Sequence, residues 1–186
     1  MTSPRYKLLG LSGSLRTAAF STAILETFAE MVADRAELAI ADIGSLPLYN
    51  QDLDLDPRPA PVAALRTAVE EADGLVIVST EYNHGTPGVL KNAIDWASRP
   101  AFRSPLKDKP VLIATCSMAF TGGVRAQYQI REAFASTLSR TVLTPEIVIG
   151  TVHTKVTDGR LTDTAVIHHA LGGFAALYAE IERTRG

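Results

Sequence analysis

Gly74-Leu75-Val76-Ile77-Val78 is the stretch on which the fold turns. It is apolar throughout, with no alternation. A strand with one wet face alternates with a period of two, whereas a short unbroken apolar run fits a parallel strand covered on both faces by helices. Outward from it in both directions, short apolar runs alternate with longer amphipathic ones. Downstream, Pro87 opens a helix over 87–96, since proline suits the first helical position, where no N–H is needed. A fourth strand over 111–116, a helix over 125–138 and a fifth strand over 142–149 follow. A last helix spans 162–183, with Thr162 as its N-cap and Gly172-Gly173 weakening its middle. Upstream, a helix over 61–72 turns Val62, Leu65 and Val69 inward. The stretch 43–61 is rich in Pro, Asp and Asn without a period, a loop of a length that is usually functional or mobile. A second strand covers 37–41. A helix covers 19–33, with Phe20, Ile24, Phe28, Met31 and Val32 in helical register, and the first strand covers 6–11.

Five strand–helix pairs with short connections predict an α/β fold. It is a flavodoxin-like three-layer sandwich around a five-stranded parallel sheet in the order 2-1-3-4-5, one domain over residues 1–186. Ligands of such sheets bind beyond the carboxyl ends of the strands, where the strand order reverses beside strand 1. The loops after strands 1, 3 and 4 are therefore the places to search.

Composition narrows the function classes. The chain has 186 residues, 46% hydrophobic and 20% charged, and a net charge of −2. No basic surplus exists to neutralise phosphates, which excludes a nucleic-acid partner. The apolar run after Arg5 and Lys7 is too short for a signal peptide, and nothing approaches the ~20 apolar residues of a membrane span. The expectation is a cytoplasmic protein without a membrane partner. Cys116 is the sole cysteine, so neither an internal disulfide nor a multi-cysteine metal site is available; at the end of a buried strand it reads as a small hydrophobe. Asp52, Asp54 and Asp56 alternate, but the glycine and terminal glutamate of a calcium loop are missing. His168 and His169 are helix neighbours that face different ways. No metal site is expected.

The loop after strand 1 reads Ser12-Gly13-Ser14-Leu15-Arg16-Thr17-Ala18-Ala19-Phe20-Ser21. It is small, hydroxylated, carries one cation and enters a helix N-terminus, a place receptive to phosphate. Arg16 supplies a charge-assisted bond, and Ser12, Ser14 and Ser21 supply hydroxyls. The nucleotide P-loop and the G-x-G-x-x-G dinucleotide turn are both absent. Gly10-Leu11-Ser12-Gly13-Ser14 lacks the last glycine of a hydrolase elbow. The loop after strand 3, Ser79-Thr80-Glu81-Tyr82-Asn83-His84-Gly85-Thr86, offers backbone donors and acceptors and one aromatic to the edge of a flat heteroaromatic ring. In the loop after strand 4, Gly122 and Gly123 permit close backbone approach, and Ser117 stands just past the strand end.

These loops, with Leu46-Pro47-Leu48-Tyr49-Asn50-Gln51-Asp52, Pro87-Gly88-Val89-Leu90-Lys91-Asn92-Ala93-Ile94-Asp95-Trp96 and Gly122-Gly123-Val124-Arg125-Ala126-Gln127-Tyr128, resemble the NADPH-dependent FMN reductase family of quinone, chromate and azo-compound reductases. The resemblance implies that the segment from Ser14 through Leu15 and Arg16 to Ser21 cradles the FMN phosphate. It implies that Thr80, Glu81, Tyr82 and Asn83 lie along the isoalloxazine ring, and that Ser117 borders it. Three positions depart from the family pattern: Ala19 and Ser21 stand where it commonly has Ser and Asn, and Thr80 stands for its proline.

The implied activity is hydride transfer from NADPH or NADH to FMN, then reduction of a small-molecule acceptor: a quinone, azo compound, metal oxyanion or free flavin. The cofactor carries that chemistry, so no side chain is assigned as a catalytic acid or base. Two alternatives share the fold, a flavodoxin-type electron carrier and a flavin-free binding module. A homodimer or homotetramer is expected. The loop carries Leu48, Tyr49, Leu53 and Leu55, more apolar surface than solvation needs. Arg125 and Tyr128 share a helix face, Glu146 is the only acid near the fifth strand, and Arg and Tyr are enriched at interface anchors.

Overall fold

All six residues of β3 (Gly74–Ser79) are buried. Leu75 and Ile77 enter one apolar core, Val76 and Val78 the other. A computed structural model describes residues 6–185; Arg5 lies outside them. In it β3 runs parallel between β1 (Tyr6–Ser12) and β4 (Pro110–Cys116), and β2 (Ala36–Ile40) lies parallel on the outer side of β1. The order is the expected β2-β1-β3-β4-β5.

The fifth position departs from expectation. In place of one strand over 142–149 there are two pieces: β5 (Arg140–Thr141), paired to Pro110 and Val111, and β6 (Ile147–Ile149), paired to Ala114 through Cys116. Pro145 lies between them, and proline has no N–H for the ladder. The strand leaves the sheet there, with Leu143 93% exposed.

α1 (Phe20–Met31) and α5 (Thr164–Arg185) cover one face through Ile24, Leu25 and Phe28 and through Phe174, Leu177 and Ile181. α2 (Ala60–Glu71), α3 (Gly88–Ala97) and α4 (Val124–Ser136) cover the other, through residues such as Leu65, Ile94, Trp96 and Phe134. The chain leaves β1 toward β2 and returns on its other side as β3, so a cleft opens at the carboxyl end of β1.

Thr162 is not the cap of the last helix. Asp163 is: its Oδ1 accepts the Val166 N–H at 3.0 Å. Thr162 instead donates its N–H and its hydroxyl to the Lys155 carbonyl, at 2.8 and 3.2 Å. It closes a small hairpin, β7 (Val156–Thr157) and β8 (Arg160–Leu161), that turns through Asp158 and Gly159 at φ 48° and 74°. Nor is Gly173 simply a weak point. A Cβ there would meet Ile147 Cδ1 at 2.8 Å and Leu112 Cδ1 at 3.1 Å, so the bare glycine lets α5 press against the sheet.

Candidate functional site

The site is built first by the parallel ends of β1 and β3. The Gly13 N–H donates to the Val78 carbonyl at 2.9 Å. A Cβ on Gly13 would lie 2.3 Å from Ser79 Oγ and 2.8 Å from Ser79 Cα, so glycine alone allows this approach. Beneath the loop the buried Ser12 hydroxyl stands 2.9 Å from both Ser21 Oγ and Thr22 Oγ1, and donates to the Ser14 carbonyl at 3.3 Å. Ser12 and Ser21 thus tie the loop to the first turn of α1. That turn has, among the described residues, no side-chain cap and no acidic residue. Its free N–H groups and the positive helix end are left to face an anion. Above them the Ser14 hydroxyl accepts the Arg16 N–H at 3.3 Å and lies 3.4 Å from the Tyr82 hydroxyl. That Ser14 contact draws the Tyr82 phenol below the ordinary tyrosine range. Leu15 and Arg16 are exposed.

The loop after β3 is a miniature hairpin. Tyr82 and Gly85 exchange backbone bonds of 3.2 and 3.0 Å, and Asn83 and His84 between them are left-handed, at φ 51° and 63°. Two positive φ values are the signature of the tight turn that Asn tolerates best. Asn83 therefore sits at the exposed tip. The Glu81 carboxylate is aimed at α4, where it accepts the Ala126 N–H at 3.0 Å. Thr80 Oγ1 is buried and makes no hydrogen bond of ordinary length among the described residues, but it stands close enough to the Tyr82 phenol to help Ser14 draw that group down. In the loop after β4, the Ser117 hydroxyl accepts the Ala119 N–H at 3.1 Å, and the Ser117 N–H donates to the Ile149 carbonyl at 3.0 Å. Gly122 and Gly123 are left-handed, and a Cβ on Gly122 would lie 2.8 Å from the Gly150 nitrogen. Burial pushes the Cys116 thiol up to about 12, which leaves it protonated and inert.

A cavity of about 660 Å³ opens between the first two loops. Of the residues expected from sequence, Ser14, Leu15, Arg16 and Tyr82 line it. Ser12 and Ser21 lie beneath, Thr80 and Ser117 at strand ends, Glu81 is aimed at α4, and Asn83 is exposed at the turn tip. The far wall is made by residues that loop-by-loop reading missed: Leu46 and Leu48 from the β2–α2 connection, and Val89 and Asn92 from α3. Asn92 and Trp96, one turn apart, hold that wall. Asn92 Nδ2 and Trp96 Nε1 both donate to the Pro47 carbonyl, at 2.9 and 2.8 Å, and Asn92 Oδ1 accepts the Tyr49 N–H at 2.8 Å. Tyr49 packs edge-on against Trp96 with ring centroids 4.9 Å apart. The signal was present in the Asn92-to-Trp96 spacing; its target, a carbonyl in an aperiodic loop, carries no pattern of its own.

Among the described residues no cluster of three or more His, Cys, Asp or Glu is placed to hold a metal. Asp54 pairs with Arg58 at 2.7 Å, and His169 Nε2 lies 3.1 Å from the Glu146 carbonyl.

Known proteins resemble this chain in sequence and in fold. The family described as NADPH-dependent FMN reductase matches residues 6–154. A quinone reductase of Escherichia coli strain K12 is 36% identical over 98% of this chain and 99% of its own. An NAD(P)H-dependent FMN reductase of Pseudomonas aeruginosa is 35% identical over 97% of each chain. Among solved structures, the flavoenzyme NAD(P)H:(acceptor) oxidoreductase FerB of Paracoccus denitrificans superposes with a TM-score of 0.84, at 30% identity over 96% of this chain and 98% of that one.

Proposed function

The chain belongs to the NADPH-dependent FMN reductase family, and from that premise we propose that it binds FMN in the cavity beside β1 and reduces quinones at the expense of NADPH or NADH. The observation that carries this reading is the layout of that cavity: one end offers an anion site, the other an apolar slot. The uncapped α1 N-terminus, Ser14 and Arg16 suit a phosphate dianion. The loop 80–83 suits the ring, and the buried Thr80 hydroxyl at its start, beside the Tyr82 phenol, suits one of the ring's polar atoms. Leu15 completes the phosphate loop, Ser12 and Ser21 hold it from below, and Ser117 borders the ring from the third loop. Bound FMN supplies the redox chemistry, taking hydride from reduced nicotinamide and delivering two electrons to the acceptor.

The protein's part is to anchor, orient and shield. Leu46, Leu48 and Val89 present an apolar wall that accepts a flat, uncharged acceptor such as a quinone and keeps water from its face. Reduction of a quinone takes two electrons and two protons; hydride from bound reduced FMN would carry both electrons and one proton, and solvent at the open cleft would supply the other proton. The named acceptors of the relatives support the quinone class. Reduced nicotinamides are cytoplasmic co-substrates, which supports action in that compartment; no described helix is long and apolar enough to cross a membrane. A homodimer or homotetramer is supported by Arg125 and Tyr128, exposed side by side on α4, and by Glu146, exposed before β6.

Steady oxidation of NADPH by FMN-loaded protein with a benzoquinone tests the proposal. Sustained turnover is expected. Consumption limited to one equivalent of NADPH per bound flavin would replace the enzyme with an electron carrier.

A further inference from the structure

The loop that follows β3 leaves the sheet at Ser79, and four hydrogen bonds tie it sideways to α4. Gln129 makes two: its Oε1 accepts the Thr86 N–H at 2.9 Å, and its Nε2 donates to the His84 carbonyl at 3.4 Å. Glu81 reaches the other way to accept the Ala126 N–H at 3.0 Å, and the Thr86 hydroxyl donates to the Ala126 carbonyl at 3.5 Å. Gly85 makes room for this clamp, because a Cβ there would lie 3.1 Å from Gln129 Oε1.

The bond from Glu81 is also electrostatic. Helix α4 starts at a left-handed Gly123 with, among the described residues, no side-chain cap and no acid in its first turn. The Glu81 carboxylate therefore supplies from a distant loop the negative charge that a helix N-terminus favours. Its support is rigid. Gln127, fully buried on the same helix, donates Nε2 to the Ile147 carbonyl at 3.1 Å, and Ile130 and Phe134 are locked in the core.

We propose that Gln129 and Glu81 are positioning residues for flavin reduction: they fix the 80–86 loop against α4 and so set where its backbone donors meet the ring. The proposal rests on the reading that the FMN ring lies along this loop. Donors held in place before the reaction stabilise the charge that the ring gains on reduction; donors on a loosened loop do so less well. Neither side chain has to touch the ring for this to hold.

The test compares FMN-loaded wild type with Gln129→Ala, Glu81→Ala and Glu81→Gln. FMN affinity, the reduction potential of the bound FMN and the melting temperature of the flavin-free protein are measured for each. Gln129 is exposed, so its truncation leaves the core intact. Both alanine variants are expected to bind FMN about tenfold more weakly and to hold it at a more negative potential. Glu81→Gln keeps an acceptor for the Ala126 N–H and is expected to restore most of both. Unchanged affinity and potential in the two alanine variants, whatever their melting temperatures, would overturn the proposal. Failure of the wild type itself to bind FMN would overturn the cofactor reading beneath it, and the two failures are distinct.

Discussion

Arg16 stands exposed on the rim of the cavity three residues after Gly13, which is buried at its floor. Gly13 is fixed by sterics: no side chain fits beside Ser79. Arg16 is fixed by charge, facing the same space as an uncapped helix end. Arg16→Ala should weaken FMN binding by about 1.5–3 kcal/mol, the value of a hydrogen bond to a charged group, with unfolding in urea unchanged because the side chain is exposed. Fluorescence titration with FMN reads the first and a urea melt the second. Cys116 makes the opposite case. A thiol held near 12 is protonated at every pH at which the protein works, so iodoacetamide at pH 8 should leave the folded protein unlabelled and label it fully in denaturant. Labelling of the native protein at the rate of a free thiol would show that the strand end is not buried. The exposure of the one and the burial of the other were legible in the sequence, since a cation in a small loop and a cysteine in an apolar run declare their surroundings. The direction of Glu81 was not. The family resemblance sets it along the ring, but its carboxylate goes to a helix end forty-five positions later, and nothing local records that.

At the level of elements, periodicity carried what was long and failed on what was short. β3 is readable because six buried residues leave no polar face to confuse the period. The hairpin of β7 and β8 was missed because two-residue strands have no period at all; the Asp158-Gly159 pair was its one signal, and such a pair favours this turn. Pro145 likewise foretold the break in the fifth strand. The adjacent glycines of α5 separate propensity from packing. Gly172 faces open space among the described residues, whereas a Cβ on Gly173 collides with Ile147. Gly172→Ala should stabilise the protein by about 0.5–1 kcal/mol through helix propensity. Gly173→Ala should lose that gain and up to about 1 kcal/mol more as the buried Ile147 side chain is displaced. Urea unfolding of the two variants decides it, and equal stabilisation by both would mean that α5 does not lie against β6 as described.

For the whole molecule, the strand order followed from connectivity, because right-handed crossovers leave few ways to wind five strands. The cavity did not follow, since its far wall joins a loop and a helix that Asn92 and Trp96 tie together across more than forty positions. Assembly is a property of this scale too. The chain mass is 19.9 kDa, and light scattering at micromolar concentration should return two or four times that value. Arg125→Ala and Glu146→Ala should each shift the population toward smaller species, whereas a monomeric wild type would end the proposal of an oligomer. On the proposed reading the chain carries electrons from a nicotinamide through FMN to a quinone. This electron path is tested most directly by following the absorption of the bound oxidised flavin without oxygen through two additions in order. NADPH should bleach the yellow band, and benzoquinone should then restore it in full. A band that NADPH leaves untouched, or one that stays bleached after the quinone is added, would contradict the account.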